Sequence, residues 1–457
     1  MLNKRLVPFL LVLGIIAIVV LIVMRGDIVK PPIKSGGLKI ETWNTDNGAR
    51  VLYVPAPELP IVDIRVVFNA GSARDGDKPG LASMTNNLLD HGAGDWNTDQ
   101  IVERFDSVGA EFSTTSLRDM AVVSLRSLTE KDWFHTALVT MATILHKPKF
   151  DEKELERERQ RTLVALRNQQ ESPSDLAEIA FYKALYSNHP YATPPLGTTN
   201  SVTALTRQDV VDFYNKYYVA SNAIVVIVGA VDKSAAKKIA NQLLQDLPKG
   251  EPAAALPATP AVTEAKLIKQ QHPSTQTTIW VGQEGETRTD PDYFPLYVGN
   301  QILGGSGFGS RIMQEIREKR GLAYSSYSYF FPMDAKGPFV MGLQTKNNQA
   351  QQALTLLMKT VNDFISNGPT QQELDDAKKN ITGGFPLRLD SNKDITEYVS
   401  MIGFYNLPLD YLKTFNARVE QVTRDQIIDA FKRRIHPDKM ITVMVGDLDG
   451  QDTKSKE

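Results

Sequence analysis

The chain has 457 residues, too many for one core at roughly 100 to 200 residues per domain, so two large lobes are expected. Its 51 Lys and Arg against 53 Asp and Glu, with 23% charged and 42% hydrophobic residues, exclude a disordered chain and a polybasic nucleic-acid surface; proteins, peptides or small molecules remain as partners. The absence of cysteine excludes disulfides, thiolate zinc sites, iron-sulfur clusters and cysteine nucleophiles.

After Lys4 and Arg5 comes an uncharged run from Leu6 to Met24, long enough for a helix to cross a ~30 Å hydrocarbon layer. It is longer than the apolar core of an ordinary signal peptide, and RGDIVKPP behind it offers no small-x-small cleavage site. Residues 1–30 therefore read as a membrane anchor, a cleaved signal being the alternative. The positive residues ahead of the run place the body on the periplasmic or extracytoplasmic side of the inner membrane, single-pass.

PPIKSGG at 31–37 is a spacer. VLYVPAPELPIVDIRVVFNAGSARD, from Val51, predicts two strands around a Pro-marked turn, with a helix following from about Pro79. The charged run EKELERERQR, from Glu152, predicts a helix with a solvated face laced by i,i+4 pairs. Pro- and Ala-rich residues 248–265 carry neither helical nor strand periodicity and read as a linker. Beyond it, TTIWVGQEG predicts a strand, and a second helix begins near Pro291.

The two halves are related. TRQDVVDFYNKYYVASNAIVVIVGAVD, from Thr206, aligns without gaps on TRDQIIDAFKRRIHPDKMITVMVGDLD, from Thr423, at an offset of 423 − 206 = 217. Identities fall at Thr206/Thr423, Arg207/Arg424, Asp212/Asp429, Ile224/Ile441, Val226/Val443, Val228/Val445, Gly229/Gly446 and Asp232/Asp449. Each copy is a Thr-capped amphipathic helix leading into a β-branched strand that ends at Gly. The fold class is thus α+β: two homologous lobes (31–247 and 266–450), each a mostly antiparallel sheet with helices packed on one face, preceded by one transmembrane helix and followed by a tail at 451–457.

GLASMTNNLLDHGA, from Gly80, HPYATPPLGTTNSVTALTRQDVVDFYNKYYVASNAIVVIVG, from His189, and GGSGFGSRIMQEIREKRGLAYS, from Gly304, together resemble the insulinase/pitrilysin family of peptidases over nearly the whole exported chain. The layout is similar to that of mitochondrial processing peptidase subunits and small bacterial two-lobe members. Active members carry H-x-x-E-H, whose two imidazoles bind zinc while the Glu deprotonates the attacking water. The resemblance places Ser83, Asn86 and Asn87 at those positions. It places Ala165, seven residues after Glu158, at the family's third ligand, a Glu. A hydroxyl, two neutral amides and a methyl group supply neither ligands nor a base. Nor do His91, His135, His146, His189, His272 and His436 contain a pair at i,i+3 or i,i+4.

In RGLAY, Arg320 and Tyr324 match an Arg-x-x-x-Tyr pair that, in two-subunit members, belongs to the subunit without zinc. The resemblance implies that they bind substrate beside a partner's metal: a guanidinium can hold a carbonyl or carboxylate, and a phenol can donate to an oxyanion. Gly304, Gly305, Gly307 and Gly309 lack the Lys-Ser/Thr of a phosphate loop and are implied to form a gating loop. The implied function is a zinc-free, non-catalytic subunit of a heterodimeric zinc metallopeptidase. Zinc would sit in a homologous partner carrying H-x-x-E-H, and the substrate would be a peptide or unfolded segment. The alternative is a non-enzymatic peptide-binding or scaffold protein of the same fold.

Overall fold

The computed structural model describes residues 38–448. The first half contributes strands β1 (Glu41–Asn44), β2 (Arg50–Pro55), β3 (Ile61–Phe68), β4 (Glu111–Ser116), β5 (Ala121–Leu128) and β6 (Ala223–Gly229). The second half contributes β7 (Lys266–Gln271), β8 (Gln276–Glu284), β9 (Ala323–Phe330), β10 (Pro338–Lys346) and β11 (Ile441–Gly446).

The first sheet runs β1-β2-β6-β3-β5-β4 and the second β7-β11-β8-β10-β9. Without β1 the two orders are the same. The last strand of each half inserts between two earlier ones, β6 between β2 and β3 and β11 between β7 and β8, parallel to the first of each pair and antiparallel to the second. The repeat extends to the register: Arg50 pairs with Ile224, and Lys266 pairs with Ile441, where 224 + 217 = 441. Both copies of the repeated helix, Arg207–Tyr217 and Arg424–Arg434, begin in a capping box on Thr206 and Thr423. The fold is α+β and two-lobed, with two mixed sheets. Although β2 and β3 flank one turn, they are not neighbours, because β6 lies between them.

The expectation that helices cover one face of each sheet is corrected: both faces are covered. Along β2, Val51 and Tyr53 face the first lobe's own core, whereas Leu52 and Val54 belong to a core containing Ile395, Val399 and Ile402 of the second-lobe helix Asn392–Phe404. The exchange is reciprocal. Along β11, Ile441, Val443 and Val445 pack with Leu176, Ala177 and Phe181 of the first-lobe helix Pro173–Tyr186, while Met444 faces its own lobe. Side chains alternate across a strand, so a strand buried on both faces must be apolar throughout. AIVVIVG in β6 is such a run, and ITVMVG in β11 departs from it only at the half-buried Thr442.

The charged helix keeps the expected solvated face, with Glu156, Arg157, Gln160 and Arg161 exposed, but part of its charge turns inward. In Glu152–Gln170 the ion pairs Arg157–Glu154 (2.9 Å) and Arg159–Glu156 (2.8 Å) are spaced i,i+3. Glu158 is 2% exposed, and the Arg159 guanidinium donates to the carbonyls of Thr203 (3.2 Å) and Leu205 (2.9 Å). One stripe of this helix is an internal polar seam.

Residues 248–263 form neither helix nor strand, yet they are tied down. The Ala254 carbonyl accepts from Arg74 (2.7 Å), and the Pro257 carbonyl pairs with His189 Nε2 (3.0 Å). The predicted membrane run Leu6–Met24 lies outside the described residues. Among the described residues no helix is long and apolar enough to cross a membrane.

Candidate functional site

The strand-to-helix segment after β3 is fixed by Asp75. Its buried carboxylate accepts from the backbone N–H groups of Gly80 and Ala82, both at 2.8 Å, at the start of the helix Leu81–Asn87. Burial pushes this carboxyl up to about 7, against the pull of the two N–H donors. The helix is buried over Leu81–Asn86, and two of the degenerate positions, Asn86 and Asn87, make structural contacts. Asn86 is fully buried and accepts from the Tyr218 hydroxyl at 3.0 Å, and its Nδ2 has no partner. Asn87 Nδ2 donates to Glu158 Oε1 at 2.9 Å. Ser83 is 8% exposed, and Ala165 lies on the same helix as Glu158.

The structure joins Asn87 to Glu158, and the donor set does not suit zinc. Two amides, a hydroxyl and a methyl group offer no imidazole and no anionic charge beyond Glu158. Among the described residues, no three His, Asp or Glu side chains are grouped to hold a metal ion. Two of the histidines serve the fold: His146 Nε2 pairs with the Leu243 carbonyl at 2.8 Å, and His189 Nδ1 accepts from the Tyr191 N–H at 3.1 Å.

Arg320 and Tyr324 belong to the second lobe, and among the described residues no hydrogen bond or ion pair connects them to the degenerate helix. Tyr324 stands on β9, the outer strand of its sheet, and is 83% exposed without a hydrogen-bond partner among the described residues. Arg320 projects from the turn before β9 and bonds through Nη1 to the Glu315 carboxylate (2.7 Å) and carbonyl (3.0 Å). The carboxyl of Glu315 is held below its ordinary value by Lys319 and then Arg320.

The glycine loop divides into a fixed root and an open tip. A Cβ on Gly304 would stand 2.4 Å from the Ser328 backbone nitrogen on β9, so the close approach requires glycine there. Gly305 adjoins Asn300, Gly307 adopts a positive φ of 62° with open space around it, and Gly309 adjoins Ser306. Between Gly307 and Gly309, Phe308 is 61% exposed, with the Arg317 guanidinium 4.4 Å from its ring centroid.

Sequence reasoning missed the seam between the lobes. In the turn between β4 and β5, Asp119 is 4% exposed and accepts from the hydroxyls of Tyr191 and Tyr405 (2.9 Å) and from the Asp334 N–H (3.0 Å). Tyr405 and Asp334 come from the other lobe. Nearby, Glu286 is 1% exposed and neither carboxyl oxygen has a partner. Burial pushes its carboxyl from an ordinary 4.5 up to about 8, aided by Asp290 and opposed by Arg434 and Arg288.

A raised folded-state value means that the Glu286 contribution is complete below pH 4.5 and is lost as pH rises through about 8. At ~1.4 kcal/mol per unit the upper limit is about 5 kcal/mol. Asp63 and Asp75 are displaced in the same direction, to about 6 and about 7, so the comparison must be with a variant. Urea midpoints of Glu286→Gln should fall less steeply than wild type between about pH 5 and pH 8.5. Parallel profiles would contradict a neutral Glu286.

A two-lobed chain with exchanged helices, a buried helix at the zinc position and no zinc-binding donor set defines the class: a peptidase-type fold lacking its metal chemistry. The comparisons agree. Residues 50–199 match Insulinase (Peptidase family M16), and residues 204–381 match Peptidase M16 inactive domain. A crystal structure of a peptidase M16 inactive domain from Pseudomonas fluorescens is 40% identical with a TM-score of 0.87, covering 90% of this chain and 98% of that one. A protease from Helicobacter pylori shares the fold at a TM-score of 0.83 and 20% identity, covering 89% and 99%. The non-peptidase homolog YmxG of Helicobacter pylori is 28% identical over 391 residues, 84% of this chain and 88% of the relative. Mitochondrial-processing peptidase subunit beta of Lentinula edodes is 26% identical over 377 residues, 78% and 79% of the two chains. The chain belongs to the insulinase (M16) peptidase family, and the positions of its zinc motif carry Ser83, Asn86 and Asn87.

Proposed function

We propose that this chain is the zinc-free subunit of a two-chain metallopeptidase, presenting Arg320, Tyr324 and a chamber wall to a homologous partner that carries H-x-x-E-H and zinc. The observation that carries the reading is Tyr324. An 83% exposed phenol with no hydrogen-bond partner among the described residues performs no evident task for this fold, whereas a phenol at the edge of a chamber can donate to an oxyanion. Among the described residues β9 pairs only with β10, so its outer edge can add an extended peptide as a further strand. Peptides and unfolded segments are therefore the substrate class. The glycine loop before β9 would gate access. We place the assembly at the membrane, body outside the cytoplasm, on the sequence run Leu6–Met24 alone.

The ion pair of Arg320 with Glu315 favours a second reading, in which the arginine merely braces a turn and the chain is a scaffold. Co-expression with a relative that carries H-x-x-E-H separates the two. The subunit reading expects co-purification and zinc-dependent cleavage of an unfolded peptide by the pair but not by this chain alone. Strong cleavage by the lone chain, or no complex with any such relative, would remove it.

A further inference from the structure

Between the lobes lies a cavity of about 660 Å³, within the roughly 300–1,000 Å³ typical of small-molecule sites. Neither the degenerate helix nor Arg320 or Tyr324 lines it. One wall is the turn that carries Asp119, with Tyr182; the rest comes from the second lobe and is rich in phenols.

Its charges do not balance. Asp119 is committed to Tyr191, Tyr405 and the Asp334 N–H. Arg118 faces Glu178 at 3.7 Å and donates to the Thr193 carbonyl at 2.9 Å. Glu286 borders the cavity, nine-tenths and more buried and without a partner among the described residues; burial raises its carboxyl to about 8. Two cations remain. The Arg288 guanidinium lies 5.5 Å from the ring centroid of Tyr405 and 6.0 Å from that of Tyr293, and its buried Nε has no hydrogen-bond partner among the described residues. Arg388 donates to the Tyr297 hydroxyl at 3.2 Å. A buried guanidinium nitrogen left unpaired is costly, and an anion satisfies it.

We propose that this inter-lobe cavity binds a carboxylate carried on an aromatic or similarly apolar body, with the carboxylate on Arg288 and the body between the tyrosine rings. A neutral Glu286 can donate to the same carboxylate rather than repel it, and the rings supply apolar contact and cation–π support for the arginines. The chemistry is shared by two sources: a free aryl-alkanoic acid and the C-terminus of a peptide ending in an aromatic residue. The site stands independently of the roles assigned to Arg320 and Tyr324.

The test is calorimetric titration of the purified full-length chain with 3-phenylpropionate and with Ala-Ala-Phe, each against its C-terminal amide. Saturable one-to-one binding is expected, with the amide at least about tenfold weaker, and with Arg288→Gln weakening the acid at least about tenfold while the thermal midpoint holds. If Arg288→Gln does not fold, Arg388→Gln takes its place, with a loss of at least about threefold expected. Tighter binding of phenylpropionate assigns the site to small acids, and tighter binding of the peptide to C-termini; either supports it. No saturable binding up to about 10 mM, equal binding of acid and amide, or full affinity in a folded arginine variant overturns it.

Discussion

Tyr324→Phe is expected to lower the kcat of peptide cleavage by the assembled pair about 10²-fold and to leave the stability of this chain unchanged. The substitution removes one hydroxyl. Because the residue is 83% exposed and the hydroxyl bonds to nothing among the described residues, the folded chain loses no contact, and Phe suits a strand as well as Tyr does. Whatever activity disappears was therefore supplied to a reacting group outside this chain. Removal of a single oxyanion donor lowers kcat by roughly 10² to 10³, which sets the scale. Arg320→Ala should act mainly through KM, since a guanidinium that holds a substrate carbonyl or carboxylate serves ground state and transition state alike. Its pair with Glu315 lies at the surface (2.7 Å, side chains 42% and 28% exposed), where loss costs no more than about 1 kcal/mol. Glu315→Ala separates the readings further. In the subunit reading Arg320 still reaches substrate and activity persists; in the scaffold reading only local order changes. Steady-state cleavage of an unfolded peptide by the purified pair is the measurement. A Tyr324→Phe complex within twofold of wild type would remove the phenol from the chemistry.

The parts of the fold legible in the sequence are those whose cause is local. Thr206 and Thr423 cap helices because a hydroxyl satisfies an N–H three residues on, and the gapless offset between those segments reappears in the sheet register. The exchange of helices was not legible. Nothing within Asn392–Phe404 states that Ile395 and Val399 will pack against Leu52 and Val226 of the other lobe. The trace it leaves is indirect: AIVVIVG is apolar at every position, which a sheet covered on one face does not require. Glu158 was misplaced for a related reason. It lies in a run of charges, and only the contact with Asn87 at 2.9 Å shows that it points inward. At the candidate site, Ser83, Asn86 and Asn87 stand out in the sequence because they share a short motif, whereas Ala165 is placed only by the resemblance. The inter-lobe cavity was not legible, since Asp119, Glu286, Arg288, Arg388 and Tyr405 come from four separate segments that share no spacing.

Asp119→Ala should be the most damaging single change at that seam, lowering stability by about 3 to 5 kcal/mol. The carboxylate is 4% exposed and accepts three hydrogen bonds, one from its own lobe at Tyr191 and two from the other at Tyr405 and Asp334. Tyr191 also receives a bond, from the Ala335 N–H at 3.1 Å, so the network ties the β4–β5 turn to the β9–β10 connection. Truncation leaves two phenol hydroxyls and one N–H without an acceptor, at roughly 1 to 3 kcal/mol for each buried group that water does not reach. It also removes the charge that strengthens all three bonds. Tyr405→Phe removes one donor and leaves the carboxylate two others, so it should cost only about 1 kcal/mol. Asp119→Asn keeps one good acceptor but turns an amide N–H₂ toward a hydroxyl and should fall between the two. Because the two sheets are already interlocked by exchanged helices, the lobes should stay together in all three variants. The loss should appear as a lower urea midpoint in a single transition, accompanied by faster hydrogen exchange at the Asp334 and Ala335 amides. An Asp119→Ala chain within about 1 kcal/mol of wild type would mean that water replaces the carboxylate at the seam, and that the orientation of the lobes rests on the apolar exchange alone.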